Sequence, residues 1–167
     1  MPLQDHDAHV ISRYIVCKLE FGCRVTLPDL TQDAVYRAIA TELQVLHGDY
    51  GTACARKYPN LTVQYLNPST NLVMVRCSRD QCKQIQSCLP FVKKIGEVDV
   101  FLHTLHLAGT IRSCMKFIVR YHKSQLPLLM SECRNPVERK KVQEMLTDSC
   151  ADSGRTLGLL ERSTTSQ

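Results

Sequence analysis

Apolar and polar positions alternate along the chain from Val10 to Phe21, which is the pattern of a strand with a buried face. After a break at Pro28 and Asp29, apolar residues recur at helical spacing behind Thr31, a residue that can cap a helix. Gly48 can end that helix in a left-handed conformation. The apolar stripe of the helix comprises Val35, Ile39, Leu43 and Leu46. The pattern therefore predicts a first strand followed by a first helix.

A β-hairpin is predicted next. Residues Leu61–Leu66 alternate strictly, and a turn at residues 67–71 leads into the apolar run Leu72–Cys77. Asn71 is a residue that tolerates a positive φ in such a turn.

A second helix and a fourth strand complete the predicted sheet. Ser78 and Gln81 have the spacing of a capping box, and Pro90 is expected to kink the last turns of the helix that they begin. Residues Glu97–Leu107 are rich in Val, Phe and Leu and favour a strand. The order β-α-β-β-α-β predicts a ferredoxin-like α+β fold, an antiparallel four-stranded sheet with both helices on one face. The other face then needs a cover or a ligand.

Further helices are expected after the sheet. Helical periodicity resumes after Gly109 and continues to about Cys133, and a weaker helix follows from Pro136 to about Cys150. We therefore expect one domain over residues 10–150, with flexible tails at residues 1–9 and 151–167.

Composition narrows the class of protein. The hydrophobic fraction of 44% and the charged fraction of 22% are those of an ordinary globular protein. Nine cysteines, an odd number without a preceding secretion signal, favour reduced thiols in the core over disulfides. The apolar stretches are far shorter than the roughly 20 residues that cross a bilayer, so we expect a soluble, unsecreted protein. The net charge of +5 is compatible with a nucleic-acid partner without establishing one.

The helix after Gly109 carries the most informative charge pattern. At about 100° per residue, its basic residues fall within about 80° of arc, opposite Cys114, Met115, Ile118 and Tyr121. No Asp or Glu occurs from Val100 to Ser131, so the stripe has no local carboxylate. Phosphate binding explains this pattern better than a merely solvated face, which is the alternative. The basic residues are Arg112, Lys116, Arg120 and Lys123.

The start of the same helix is a second candidate for phosphate binding. Gly109 and Thr110 place backbone N–H groups where the helix dipole favours an anion, and Arg112 projects beside them. The alternative is that Thr110 only caps its own helix.

Metal binding and catalysis are not indicated. Cys77 and Cys82 precede His103 and His106, but a regular strand would point these two histidines to opposite faces. The spacing of Cys and His orients no general base, and no Walker loop or nucleophile elbow occurs. The sequence predicts neither a zinc site nor an enzyme.

Three segments and one dipeptide of the sequence form a recognisable set. They are VQYLN with VMVRC at 63–77, LPFV at 89–92 and TLHLAGTIRSCMKF at 104–117, together with Arg13 and Tyr14. In order and spacing, over residues 12–133, they resemble the Pop-five family of protein subunits of eukaryotic ribonuclease P and RNase MRP. The third segment is long enough to make a chance match improbable.

The resemblance implies a ferredoxin-like or RRM-like fold in a subunit that is not itself a nuclease. It implies a ribonucleoprotein whose RNA, using Mg²⁺, removes the 5′ leader of precursor tRNA, while RNase MRP processes ribosomal RNA. The chain itself would bind no cofactor. Implied partners are the RNase P and RNase MRP RNAs, a similar small subunit and a TIM-barrel-like subunit, with precursor tRNA contacted indirectly and no membrane. Nuclear and nucleolar localisation is also implied.

The residues expected to contact RNA combine the resemblance with the charge pattern. They are Arg13, Gly109, Thr110, Arg112, Lys116, Arg120 and Lys123. Two other hypotheses stay open: a ferredoxin-like protein-interaction adaptor without direct RNA contact, and a free-standing enzyme or small-molecule sensor of the same fold.

Overall fold

A computed structural model describes residues 11–22, 30–56, 61–132 and 135–164. The expected tail at residues 1–9 and the last residues, 165–167, lie outside these ranges. The elements are β1 (Ser12–Phe21), α1 (Gln32–Arg56), β2 (Leu61–Asn67), β3 (Leu72–Ser78), α2 (Cys82–Cys88), β4 (Lys94–Ile95), β5 (Val98–Ala108), α3 (Ile111–Glu132) and α4 (Pro136–Thr164). The strands form a five-stranded antiparallel sheet with the order β2-β3-β1-β5-β4.

The first face of the sheet packs against α1 and α2. Ile15, Cys17 and Leu19 of β1 are buried there with Ile39 of α1 and Ile85 of α2. The ferredoxin-like prediction is confirmed. The structure adds the short strand β4, which pairs with the start of β5.

The second face of the sheet is covered in part by α3. Val16 of β1 and Met74 of β3 are buried against Cys114, Met115 and Ile118 of this helix. Sequence analysis left this face in need of a cover or a ligand, and α3 supplies the cover.

The first helix begins as predicted but continues further. Thr31 Oγ1 accepts a hydrogen bond from the backbone N–H of Ala34 at 3.2 Å. Gly48 interrupts α1 at the predicted position, but with φ +64° and ψ −167° it adopts an extended positive-φ conformation that favours glycine, and not the left-handed helical stop that was predicted. A second helical segment then continues to Arg56, with Thr52 donating its hydroxyl hydrogen to the Gly48 carbonyl at 2.9 Å.

Only half of the capping box predicted at Ser78 forms. Ser78 Oγ accepts a hydrogen bond from the Gln81 N–H at 3.4 Å, but α2 begins only at Cys82 and Gln81 is its N-cap. Gln81 Oε1 is buried without a hydrogen-bond partner, so it does not return to Ser78. Pro90 has the expected effect, because a 3₁₀ turn at Leu89–Phe91 replaces the α-helix there.

Two β-bulges change which residues share a face. At Gln64 the register of β2 shifts, so Tyr65 pairs with Met74 and the predicted strict alternation ends. At Leu105 the register of β5 shifts in the same way, since Thr104 pairs with Cys17 and His106 with Val16.

The last helix is longer than predicted. It runs to Thr164, whereas sequence analysis placed a flexible tail at residues 151–167. Arg155, Leu157, Leu160 and Glu161 are good helix formers, which outweighed the Ser and Gly content on which the prediction rested. In the part of the chain that the structure describes, no helix is long and apolar enough to span a membrane.

The cysteine prediction is confirmed for the six described thiols. All six are free, and five of them are buried. The buried thiols are Cys17, Cys77, Cys82, Cys88 and Cys114.

The β2–β3 turn provides a test of local strain. Asn71 has φ +55°, a conformation that costs little for Asn or Gly and more for β-branched residues. Asn71→Gly should leave the free energy of unfolding within about 0.5 kcal/mol, whereas Asn71→Val should lower it by roughly 1 to 3 kcal/mol. Urea denaturation of both variants measures the difference, and equal stability would show that the turn relaxes.

Candidate nucleic-acid interface

The two sides of α3 differ as the sequence predicted. Arg112, Lys116, Arg120 and Lys123 are all exposed, and we call them the basic face. On the opposite side, Cys114, Met115 and Ile118 are buried against the sheet. The apolar anchor therefore holds the basic face outward.

Three cations of the basic face carry charge that no described carboxylate neutralises. Among the described residues, Lys116, Arg120 and Lys123 form no ion pair within 4.0 Å. Two lysines on the strands of the sheet do form ion pairs: Lys18 pairs with Glu20 at 3.5 Å and Lys94 with Asp99 at 3.9 Å. Because like charges repel, an unneutralised row of cations favours binding of a polyanion.

Thr110 is occupied by its own helix. Its Oγ1 accepts a hydrogen bond from the backbone N–H of Ser113 at 3.2 Å, and its carbonyl accepts one from Cys114 at 3.3 Å. Thr110 is therefore the N-cap of α3, which was the alternative in the sequence analysis.

Arg13 lies against the start of α3. A Cβ atom built on Gly109 would be 2.8 Å from Arg13 Nη1, so the guanidinium lies directly against the Gly109 backbone. Arg13 is half-buried and lies opposite Cys77 in the β1–β3 ladder. The structure thus brings Arg13, Gly109 and Thr110 together beside Arg112, at one end of the basic face.

Three of the buried thiols, Cys17, Cys88 and Cys114, are poor nucleophiles. Burial raises the pKa of Cys17 to about 12 and the pKa of Cys88 and of Cys114 to about 11. These thiols are protonated at neutral pH, and the thiolate is the reactive form.

The bulge at Leu105 corrects the placement of the two strand histidines. His103 pairs with Lys18 and His106 with Val16, and these partners lie on one face of β1, so both histidines point to the second face. His106 stacks on Phe117 of α3, with ring centroids 4.4 Å apart and planes 8° apart. The described residues contain no group of three or more His, Cys, Asp or Glu side chains placed to hold a metal ion.

Sequence analysis missed the residues that stay exposed on the second face. Phe101 is 46% exposed, and His103 is also exposed. Their spacing of two on a strand put them on one side, but the sequence carries no signal of how far α3 covers that side.

His122 is a polar residue within the apolar underside of α3. It is 1% exposed, and neither ring nitrogen has a hydrogen-bond partner in the structure. Burial lowers the pKa of this imidazole, because the charged form cannot be solvated there.

Comparison with known proteins identifies relatives of the chain. The model of the Rpp14/Pop5 family matches residues 13–119. The ribonuclease P/MRP protein subunit POP5 of Bos taurus is 33% identical over 145 residues, which cover 83% of this chain and 82% of that protein. The protein of the same name from Homo sapiens is also 33% identical over 145 residues, with 83% and 86% covered. The one from Saccharomyces cerevisiae is 26% identical over 107 residues, with 64% and 61% covered.

The stability of the fold should depend on pH through His122. Protonation is harder in the folded chain than in the unfolded chain, where the pKa is near 6.5. The neutral imidazole therefore makes its full contribution to the free energy of unfolding above that pH, and the contribution is lost as the pH falls below it. His122→Leu should flatten the decline of the thermal midpoint between pH 7 and pH 5, whereas His103→Gln, at an exposed position, should not. An equal decline in the wild type and in His122→Leu would contradict this assignment.

Proposed function

The chain belongs to the Rpp14/Pop5 family, and on that premise we propose that it is a protein subunit of ribonuclease P and RNase MRP that binds their RNA through the basic face of α3. The curated relatives carry the name ribonuclease P/MRP protein subunit. The observation that supports RNA contact is the row of exposed cations on α3, three of which form no ion pair with described residues.

The geometry of the basic face suits a phosphate backbone. From Arg112 to Lys123 it extends about 16 Å along the helix, enough to reach more than one phosphate. Arg13, packed on Gly109, adds a cation at the N-terminal end, where the helix dipole also favours an anion. Thr110 contributes by capping the helix that presents these groups.

In this proposal the protein stabilises the RNA and does not carry out catalysis. Lysine and arginine supply positive charge and hydrogen-bond donors but are poor general bases at neutral pH, because both stay protonated. Cleavage of the 5′ leader of precursor tRNA then belongs to the RNA and its Mg²⁺ ions, and ribosomal RNA processing to RNase MRP. The proposal includes a similar small subunit and a TIM-barrel-like subunit as partners, and localisation in the nucleus and nucleolus.

A protein-interaction adaptor without RNA contact is the second candidate. Several large apolar side chains are exposed, among them Val45, Tyr50 and Leu128, at 73%, 81% and 58%. Such residues favour contacts with neighbouring proteins. Affinity purification of the chain followed by sequencing of the bound RNA separates the candidates: RNase P and MRP RNAs should be enriched, and the enrichment should survive only if the basic face is intact.

The salt dependence of RNA binding tests the basic face directly. Each phosphate contact contributes roughly 0.7 to 0.9 to the slope of log affinity against log salt. Lys116→Gln with Arg120→Gln should therefore flatten the slope of the reconstituted particle by about 1.4 to 1.8, without altering the fold. The matched control is Lys83→Gln with Lys93→Gln, which removes two exposed lysines outside the basic face and should leave the slope unchanged. Equal slopes for the two double variants, with normal precursor-tRNA cleavage, would refute the RNA contact.

A further inference from the structure

Part of the second face of the sheet stays open beside α3. Across the β1–β5 ladder, Lys18 pairs with His103 and Glu20 pairs with Phe101, so these four side chains point to the same side. None of them belongs to the cluster that α3 buries, whose β1 member is Val16. We call Lys18, Glu20, Phe101 and His103 the open face.

The open face displays aromatic rings in a row. Phe101 and His103 are both exposed and are two residues apart on β5, which separates them by about 7 Å. The row continues toward α3, where His106 stacks on Phe117 and Phe117 on Tyr121, with centroids 4.4 Å and 6.1 Å apart. A row of rings along an exposed strand is a surface on which flat, unsaturated rings can stack.

The charges of the open face differ from those of α3. Glu20 pairs with Lys18 at 3.5 Å, so the open face is close to neutral. Three cations of the basic face, by contrast, form no ion pair with described residues. A neutral aromatic surface does not attract phosphates, but it suits the faces of nucleobases, while the adjacent helix suits the phosphates of the same strand.

The occupant that fits both surfaces is single-stranded RNA. In a duplex the base faces are stacked on one another and cannot reach a flat protein surface. An apolar protein segment would use the rings but would leave the neighbouring cations without a partner. Charge complementarity therefore favours an unpaired RNA segment over a protein segment.

We propose that the open face stacks one or two unpaired bases of an RNA strand whose phosphates contact the basic face of α3. This inference rests on the proposed RNA-binding function and adds to it the part of the RNA, unpaired bases, that the sheet recognises. The stacking rings are Phe101 and His103, and the ring stack of His106, Phe117 and Tyr121 borders them.

The test compares two RNA probes with the full chain. One probe is a fluorescein-labelled oligouridylate of 12 nucleotides, and the other is the same sugar–phosphate backbone with every base removed. The wild type should bind the complete RNA about fivefold or more tightly than the abasic RNA, the lower end of what base–aromatic stacking gives. Phe101→Leu with His103→Gln should abolish this ratio while leaving affinity for the abasic RNA and the salt slope unchanged.

Matched variants separate stacking from loss of fold. Phe91→Leu removes a ring that is 52% exposed on the 3₁₀ turn, outside the open face, and should keep the wild-type ratio. The thermal midpoint of every variant checks the fold. The single variant Phe101→Tyr retains an aromatic ring beside the native His103 and should keep the wild-type ratio.

The outcomes distinguish this inference from the function on which it rests. If Lys116→Gln with Arg120→Gln weakens binding of both probes but the ring variants keep the ratio, stacking is refuted and RNA binding by α3 stands. If the wild type binds neither probe in a salt-dependent way, both proposals fail. If the ring variants keep the ratio but fail to assemble with the other subunits, the open face is a protein interface and the inference is overturned.

Discussion

The middle of β1 is buried on both faces of the sheet, and the packing of α3 on the second face makes that arrangement possible. Ile15 and Cys17 are buried on one side and Val16 on the other, each at 0% exposure. A fully buried aliphatic side chain contributes roughly 1.5 to 3 kcal/mol, more than an exposed ion pair does. The underside of α3, Cys114, Met115 and Ile118, therefore determines how the helix sits. The outward direction of the basic residues follows from that anchor.

The same packing divides the second face into two surfaces of different chemistry. Where α3 lies on the sheet, the outer side of the helix exposes the four cations of the basic face. Where it does not, β1 and β5 leave Phe101 and His103 exposed next to the Lys18–Glu20 ion pair. A nucleic acid strand has the same division, since its backbone is charged and its bases are flat and neutral. This match connects the fold to the proposed RNA-binding role without requiring any catalytic group in the protein.

Sequence reasoning succeeded where local chemistry decides the structure. The cap at Thr31, the positive φ of Gly48 and Asn71 and the two sides of α3 follow from residue type and spacing, and all are observed. It failed where one residue is inserted into a ladder. The bulge at Leu105 has no signal in the sequence, yet it turns His106 to the same face of the sheet as His103. The extent of the open face was also beyond prediction, because it depends on where α3 crosses the sheet, and that is a property of tertiary packing.

The most direct test of the central claim is ultraviolet cross-linking of RNA to the chain in the affinity-purified particle, with adducts located by mass spectrometry. If the basic face and the open face contact RNA, nucleotide adducts should concentrate in peptides from β5 and the first half of α3, residues 98–123. Peptides from α1, which packs on the first face of the sheet, should carry none. Two results would contradict the account. One is nucleotide adducts confined to α1. The other is a complete lack of nucleotide adducts while amine-reactive reagents cross-link Lys116 and Lys123 to neighbouring proteins.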